Sequence, residues 1–182
     1  MITGGNALLD AKFILARAQI KEGMQVADLG CGASGHFVFP SARIVGKKGT
    51  VYAVDIMKTI LQSIEKRAKL ENLQNIQTVW SDLEIFGATK IDSGKLDVAM
   101  LINTLYQSKK RMEIVREAVR LIKKGGKLIV VEWKNSALPF GPSIENRVEK
   151  DLLKNGSAKL GLKIEEEFEA GDYHYGIIFD KL

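Results

Sequence analysis

The chain alternates short, continuous apolar runs with longer segments of helical period, and this alternation restricts the folds open to it. Each run is rich in apolar or β-branched residues and is predicted to form a strand. Because the runs show little polar alternation, we expect both of their faces to be buried, as in a parallel sheet. Strands that alternate with helices predict an α/β fold. The five predicted strands are residues 25–29, 50–55, 76–80, 96–102 and 127–133.

Helical periodicity occupies the segments between the predicted strands. Apolar residues recur at helical spacing over 112–122, and Gly125 with Gly126 is the predicted stop of that helix. A second helix is predicted from an N-cap at Ser143 to a stop at Gly156. Further helices are predicted over residues 7–20, 41–45 and 59–70.

The last part of the chain predicts a β-hairpin, because segments 163–169 and 174–180 flank a turn signal at Ala170-Gly171-Asp172. The 182 residues contain no internal repeat and no linker rich in Pro, Gly or Ser. We therefore expect one domain over residues 1–182, within which residues 1–22 form a helical lid segment.

Composition bears on the location and the partners of the protein. The 27 basic and 22 acidic residues are interspersed, so the mild positive charge does not by itself indicate nucleic-acid binding. No apolar run approaches the roughly 18 to 20 residues that span a bilayer, and no signal peptide is recognised, so a cytoplasmic location is expected. The single cysteine, Cys31, cannot form an internal disulfide. No Cys, His and Asp cluster has metal-ligand spacing, so no metal is expected.

A glycine-rich turn follows the first predicted strand, where residues 28–35 read Asp-Leu-Gly-Cys-Gly-Ala-Ser-Gly. Glycine in such a turn lets the backbone approach a ligand that a Cβ would exclude. The spacing of Gly30, Gly32 and Gly35 fits dinucleotide sites as well as other nucleoside sites. Asp28 favours a zwitterionic ligand, because an acid at the strand end is a poor neighbour for a pyrophosphate.

Acidic residues also follow the next two predicted strands. Asp55 ends the second strand, where a carboxylate accepts hydrogen bonds from both ribose hydroxyls of a nucleoside. Asp82, in Ser81-Asp82-Leu83 after the third strand, is placed to accept from an exocyclic adenine amine between apolar neighbours. Open α/β sheets bind ligands at the carboxyl ends of their strands. The three acids therefore predict one nucleoside site.

These motifs resemble those of class I S-adenosylmethionine-dependent methyltransferases, and specifically the small-molecule group related to the ubiquinone and menaquinone biosynthesis enzymes. The resemblance covers nearly the whole chain. It lies in motif I (26–32), the ribose-binding motif (54–55), the adenine-binding motif (81–83), the fourth-strand motif (97–103) and the entry to the fifth strand (124–130).

The resemblance implies a three-layer Rossmann-like sandwich with a seven-stranded, mostly parallel sheet whose last strand is antiparallel, and the predicted hairpin would supply that strand. It also implies S-adenosylmethionine as the cofactor and S-adenosylhomocysteine as its product. The expected cofactor-binding residues are Asp28, Gly30, Cys31, Gly32, Gly35, Asp55, Ile56, Ser81, Asp82, Leu83 and Asn103.

Methyl transfer from a sulfonium is an in-line displacement with a good leaving group, so the enzyme chiefly has to align the nucleophile with the methyl group. A phenol, amine or enol acceptor must also lose a proton, whereas a thiolate need not. His174 is the candidate proton acceptor, because the hairpin turn lies on the cofactor side in this topology. Tyr106, where many relatives carry a histidine, is the candidate to orient the acceptor, and Trp133 is a candidate apolar wall.

The sequence leaves rival functions open. A nicotinamide-dependent oxidoreductase is compatible with the glycine spacing, and a non-catalytic module could keep the same fold. An RNA or protein substrate is an alternative to a small molecule, because the mild positive charge is compatible with RNA contacts. We expect a small-molecule acceptor, since no motif for flipping a base and no appended RNA-binding domain is present. A monomer or a homodimer is expected.

Overall fold

Helices and strands alternate along the computed structural model, which describes residues 8–136 and 140–182. The strands are β1 (Gln25–Leu29), β2 (Thr50–Asp55), β3 (Ile76–Trp80), β4 (Leu96–Ile102), β5 (Ile122–Trp133), β6 (Leu162–Glu169) and β7 (His174–Lys181). The helices are α1 (Ala11–Arg17), α2 (Val38–Val45), α3 (Lys58–Leu70), α4 (Arg111–Leu121) and α5 (Lys150–Lys159). Short 3₁₀ turns cover Leu105–Gln107 and Ile144–Asn146.

One seven-stranded sheet carries the strands in the order β3-β2-β1-β4-β5-β7-β6. Strands β1 to β5 pair in parallel, and β7 runs antiparallel to both of its neighbours, β5 and β6. The predicted mostly parallel sheet with an antiparallel last strand is therefore confirmed.

Two apolar cores cover the two faces of the sheet and create three layers. Helices α1, α2 and α3 pack in one core, and α4 and α5 pack in the other. Successive residues of a strand point to opposite faces. Val26 accordingly lies in the first core and Ala27 in the second, and both are fully buried. This burial on both faces explains why the central strands show continuous apolar runs.

The helix predicted over 143–156 is wrong in its position. The segment forms a 3₁₀ turn at Ile144–Asn146 and an α-helix only from Lys150, because the buried Arg147 side chain donates to the carbonyls of Pro142 and Lys134, each at 3.0 Å. Gly156 does not stop the helix but lies inside it. A Cβ there would lie 2.7 Å from the Met112 sulfur, so this glycine allows α5 to pack closely against α4.

The predicted stop at Gly125 and Gly126 is also misplaced. Helix α4 ends at Leu121, and Ile122 already pairs with Leu96 as the first residue of β5. Gly125, with a φ of +72°, lies in the exposed early part of that strand. The change from helix to strand therefore does not need the glycine pair.

The described part of the predicted N-terminal lid packs into the core. Helix α1 begins after Asp10, whose carboxylate accepts from the Phe13 N–H at 3.1 Å, and it buries Ile14 and Leu15 completely. Residues 1–7 of the predicted lid lie outside the described residues, and a lid role for 1–22 stays a prediction. Among the helices of the described ranges, each is too short or too polar to cross a bilayer.

Candidate functional site

A cavity of about 340 Å³ opens at the carboxyl edge of the sheet, beside the ends of β1 and β2 and the segment after β3. A larger cavity, of about 800 Å³, lies elsewhere and is lined by none of the predicted site residues. The predicted cofactor residues that line the first cavity are Gly30, Gly32, Asp55, Ile56, Ser81, Asp82 and Leu83.

The three glycines of the turn after β1 have different surroundings. A Cβ on Gly32 would meet nothing within 4 Å, so the backbone there borders open space, with a φ of +63°. A Cβ on Gly30 would lie 2.8 Å from the Thr104 side chain, and one on Gly35 would lie 2.6 Å from the Phe39 ring. Gly32 therefore offers its backbone to a ligand, whereas Gly30 and Gly35 also allow close packing within the protein.

Asp28 is buried at the end of β1, with 2% of its surface exposed. Its Oδ2 atom has no hydrogen-bond partner within residues 8–136 and 140–182. Burial and, to a smaller extent, the neighbouring charge of Asp55 together raise the pKa of this carboxyl to about 7. A buried carboxylate oxygen without a partner is costly, and an ammonium group is the kind of ligand that would satisfy it. The predicted contact with an amino-acid ammonium fits this environment.

Asp55 joins the end of β2 to the glycine-rich turn. Its Oδ2 atom accepts from the Gly32 N–H at 3.1 Å, and its Oδ1 atom accepts from the Met57 N–H at 2.9 Å. Each carboxylate oxygen has two acceptor positions, so two hydroxyl donors can still bind. Ile56 and Met57 line the cavity and are more than half exposed, and they offer apolar surface to a flat ring.

The segment after β3 is held by its own hydrogen bonds. Asp82 accepts from the Glu84 N–H at 2.9 Å through one oxygen, Oδ1. The Ser81 hydroxyl lies 2.9 Å from the Thr89 hydroxyl, and both residues are buried. The Ser81 side chain is therefore used within the protein, while Asp82 and the buried Leu83 face the cavity.

The segment after β4 forms another part of the cavity wall. Asn103 adopts a left-handed backbone with a φ of +54°, and its N–H donates to the Val131 carbonyl at 2.9 Å. The Thr104 hydroxyl donates to the Leu29 carbonyl at 3.0 Å and so ties this segment to β1. Asn103, Cys31, Gly35 and Asp28 are not among the residues that line the cavity.

Tyr106 is partly buried and packs against the core that α4 and α5 cover. Burial raises the pKa of its hydroxyl, and the nearby carboxyl of Glu132 raises it further. The hydroxyl is therefore a hydrogen-bonding group at neutral pH. It can orient an acceptor but is a poor base.

His174 lies at the carboxyl edge as predicted, opposite Trp133 in the pairing of β7 with β5. Its ring is fully buried, with its centroid 4.3 Å from that of Trp133. Burial lowers the pKa of His174 to about 4, and the charge of Lys134 acts in the same direction. Neither ring nitrogen bonds to any part of the chain that the structure describes. This neutral imidazole has two unused nitrogens but is a weak base, and its fully buried ring is not among the residues that line the cavity.

Sequence reasoning missed several residues of the cavity. Those from the segment after β4 carry no motif by which they could be found, because their positions depend on an irregular backbone. The missed lining residues are Met57, Ile60, Glu84, Thr104, Gln107, Ser108 and Ile114.

Comparison with known families identifies the relatives of this chain. A family model described as a methyltransferase domain matches residues 20–174. The chain belongs to this methyltransferase family. The family implied by the motifs is thereby confirmed.

Two curated relatives are methyltransferases of quinone biosynthesis. The chain is 26% identical over 118 residues to the demethylmenaquinone methyltransferase of Lactococcus lactis, covering 65% of this chain and 45% of that protein. It is 26% identical over 133 residues to the ubiquinone/menaquinone biosynthesis C-methyltransferase UbiE of Bordetella parapertussis, covering 73% and 50%. The chain thus spans about half the length of these relatives, or less.

A solved structure shares nearly the whole architecture. It is a SAM-dependent methyltransferase from Aquifex aeolicus, with a TM-score of 0.86 and 22% identity over 96% of this chain and 91% of that chain. The predicted Rossmann-like methyltransferase fold is therefore confirmed.

Proposed function

We propose that this protein transfers a methyl group from S-adenosylmethionine to a small-molecule acceptor and releases S-adenosylhomocysteine. The observation that carries the proposal is the carboxyl edge of the sheet, where Asp28, Asp55 and Asp82 follow three strands that are neighbours in space. Of these, Asp28 has a buried oxygen with no partner in the described chain. A cationic amino-acid group bound there would remove that cost.

Each portion of the cofactor has a fitting group. Asp28 would hold the ammonium group, and the Gly32 backbone would border the methionine portion. Asp55 would accept from the two ribose hydroxyls. Asp82 would accept from the adenine amine, with Ile56 and Leu83 as apolar neighbours of the ring. The bound cofactor supplies an activated methyl group on a sulfonium, which leaves as a neutral thioether.

The acceptor side of the site is proposed beside the ends of β4, β5 and β7. His174 would accept a hydrogen bond from the methyl acceptor and so orient it. It would not remove the proton itself, because its lowered pKa makes it a weak base at neutral pH. Tyr106 would help to orient the acceptor, and Trp133 would supply an apolar wall. The two quinone-biosynthesis relatives support an acceptor that is a small molecule. We also propose a cytoplasmic, monomeric or homodimeric protein.

Calorimetric titration with S-adenosylhomocysteine and, separately, with NAD tests the cofactor. We expect the thioether to bind and NAD not to bind. Asp28→Asn should weaken binding about 10- to 100-fold, which corresponds to a charged hydrogen bond of about 1.5–3 kcal/mol. The control is Asp92→Asn, an exposed acid outside the cavity lining. Binding of NAD alone, or equal affinity of the two variants, would contradict the proposal.

The pH dependence of this binding tests the role of Asp28 independently. Because the pKa of Asp28 is raised to about 7, its carboxyl is mostly neutral at pH 6 and mostly ionised at pH 8. An ammonium group binds the ionised form better, so affinity should rise as the pH rises through about 7. The Asp28→Asn variant should lack this rise. A profile with the same slope in both proteins would exclude Asp28 as the ammonium ligand.

His174→Phe tests the acceptor side, because it keeps an aromatic ring against Trp133 and removes both nitrogens. Phenols, amines and thiols would be screened with cofactor labelled in its methyl group to find an acceptor. We expect the variant to bind S-adenosylhomocysteine like the wild type and to turn over more slowly. Unchanged turnover with the identified acceptor would remove His174 from the mechanism.

A further inference from the structure

Glu132 is an ionisable residue near the carboxyl end of the buried strand β5. It is fully buried in β5, where Leu128 and Val130 on the same face belong to the core under α4 and α5. An ionisable side chain in such a place costs free energy unless its oxygens are satisfied. An apolar residue would fit the pattern of the strand better, so the fold alone does not account for a carboxyl group here.

The carboxyl group of Glu132 faces the backbone of the segment after β4. Its Oε1 atom accepts from the Leu105 N–H at 2.6 Å. The N–H groups of Thr104 and Tyr106 also lie close enough to stabilise the ionised form. The Leu105 N–H thus bonds to a side chain from a different strand, and the N–H groups on either side of it lie near the same carboxyl group. The Oε2 atom has no partner in the described chain. Only one oxygen of the carboxyl group is therefore satisfied, so a contribution to stability does not explain why it is buried here.

The backbone that Glu132 contacts belongs to the wall of the cofactor cavity. Thr104, Gln107 and Ser108 from this segment line the cavity. The segment has no strand ladder of its own, and it begins with the left-handed backbone of Asn103. The Thr104 side chain packs directly against Gly30 of the glycine-rich turn. A shift of this segment would therefore move the cavity wall and disturb the turn.

We infer that Glu132 is a positioning residue whose carboxyl oxygen fixes segment 103–108 in the conformation that forms the cofactor cavity. The inference rests on the proposed function, since it concerns the same cavity. Glu132 acts through the Leu105 N–H and does not line the cavity itself. Replacing it by an apolar residue should therefore weaken cofactor binding without unfolding the protein, because the cost of leaving the Leu105 N–H without an acceptor is offset when a carboxyl group no longer has to be buried.

Titration of the full chain with S-adenosylhomocysteine at pH 7.5 tests the inference with three variants of Glu132. Glu132→Leu removes the acceptor and should weaken binding at least about tenfold while the protein still folds and unfolds in one cooperative transition. Glu132→Gln keeps an acceptor oxygen and should bind within about threefold of the wild type. Glu132→Asp keeps the charge but is too short to reach the Leu105 N–H, so it should bind more weakly than Glu132→Gln.

Tyr175→Phe is the matched control, because Tyr175 pairs with Glu132 across the sheet and its hydroxyl donates to the Val148 carbonyl, not to segment 103–108. Its affinity should equal that of the wild type. Hydrogen exchange of the Leu105 amide supplies a readout that does not need the cofactor. Exchange should be faster than in the wild type for the Leu and Asp variants and unchanged for the Gln variant.

The failures can be told apart. If the wild type does not bind S-adenosylhomocysteine, the proposed function fails, and Leu105 exchange still tests the contact. If the wild type binds and Glu132→Leu binds equally well, the inference fails. Should Glu132→Leu not fold, the pair of Gln and Asp variants decides. Stronger binding by the Gln variant supports positioning by the oxygen, and equal binding overturns it.

Discussion

Two segments that contribute to the proposed cofactor cavity are each held by a buried glutamate, and the two glutamates have different hydrogen-bond partners. Glu117 of α4 accepts from the Gly87 and Thr89 N–H groups of the loop after β3, and it pairs with Arg120 at 2.8 Å. Glu132 of β5 accepts from the Leu105 N–H and has no cation bound to it in the described chain.

The electrostatics follow from this difference. Burial raises the pKa of Glu117, but the Arg120 guanidinium and the loop N–H groups outweigh it and bring the pKa to about 2. For Glu132, burial outweighs both the backbone donors and the charge of Arg111 and raises the pKa to about 8. A buried carboxylate with a bonded cation therefore stabilises the fold at neutral pH, whereas a buried carboxylate bonded only to the backbone destabilises it. We call the two glutamates anchors, because each holds a segment of the cavity wall. Glu117 stabilises the protein, whereas Glu132 positions segment 103–108 and lowers the stability.

Removing Glu117, the anchor paired with Arg120, should have the largest effect on the free energy of unfolding. Glu117→Ala leaves the Arg120 side chain, which is 15% exposed, without its carboxylate, and it leaves two loop N–H groups without an acceptor. Loss of one partner of a buried pair costs about 3–5 kcal/mol, and we expect a decrease of this size in the free energy of unfolding. Urea unfolding with a two-state analysis measures it.

The same helix supplies the control. Glu113 and Arg116 of α4 have the same three-residue spacing, but their side chains are about half exposed. Glu113→Ala should cost less than about 1 kcal/mol, as is usual for exposed ion pairs. If Glu117→Ala were no more destabilising than Glu113→Ala, the buried pair would not be the anchor of the loop after β3.

Glu132, the anchor without a bonded cation, should make the free energy of unfolding depend on pH. The folded-state pKa of Glu132 is raised, so its protonated form is favoured by folding. Stability is greatest below the unfolded pKa and is lost as the pH rises toward about 8. Glu132→Gln mimics the protonated form, so its free energy of unfolding relative to the wild type should rise by up to about 1.4 kcal/mol per pH unit between pH 5 and 8.

Urea unfolding of both proteins across this range measures the difference, and comparing the two at each pH removes the contribution of the groups they share. Glu117 has the opposite sign, because its lowered pKa makes its contribution present above its unfolded pKa and lost as the pH falls toward about 2. Parallel stability curves for the wild type and Glu132→Gln would show that Glu132 does not titrate in this range.

Local patterns account for the parts of the fold that the sequence could predict. Strands β1 to β4 begin and end as predicted, since their apolar runs are bounded by turn residues. The helix over 143–156 failed because Arg147 bonds to carbonyls as far away as Lys134, and such a tertiary contact leaves no periodic signal. The location of the three acids at one edge could be predicted because parallel strands end at the same edge of a sheet, and their binding of a ligand stays a prediction.

The anchors of the cavity were harder to foresee. Glu117 lies among Ile114, Ala118 and Leu121 on the buried face of α4, and Glu132 interrupts an apolar strand. A single carboxylate in an otherwise apolar pattern indicates a buried polar contact. The pattern does not identify the backbone groups that donate to that carboxylate. The contact between Glu132 and Leu105 joins residues 27 positions apart and depends on the left-handed backbone at Asn103.

A smaller effect is expected from the second attachment of the loop after β3. Thr89→Val removes the hydroxyl that lies 2.9 Å from Ser81, while the Thr89 N–H still donates to Glu117 at 3.1 Å. One hydrogen bond contributes about 1 kcal/mol, so the free energy of unfolding should fall by that amount. Binding of S-adenosylhomocysteine should stay within about threefold of the wild type, because Glu117 keeps the loop in place. A loss of affinity of about tenfold or more would instead mean that the Ser81–Thr89 contact holds the loop. The Glu117 carboxylate would then contribute to stability without positioning the loop. Glu117 and Glu132 would no longer be comparable as anchors of the cavity.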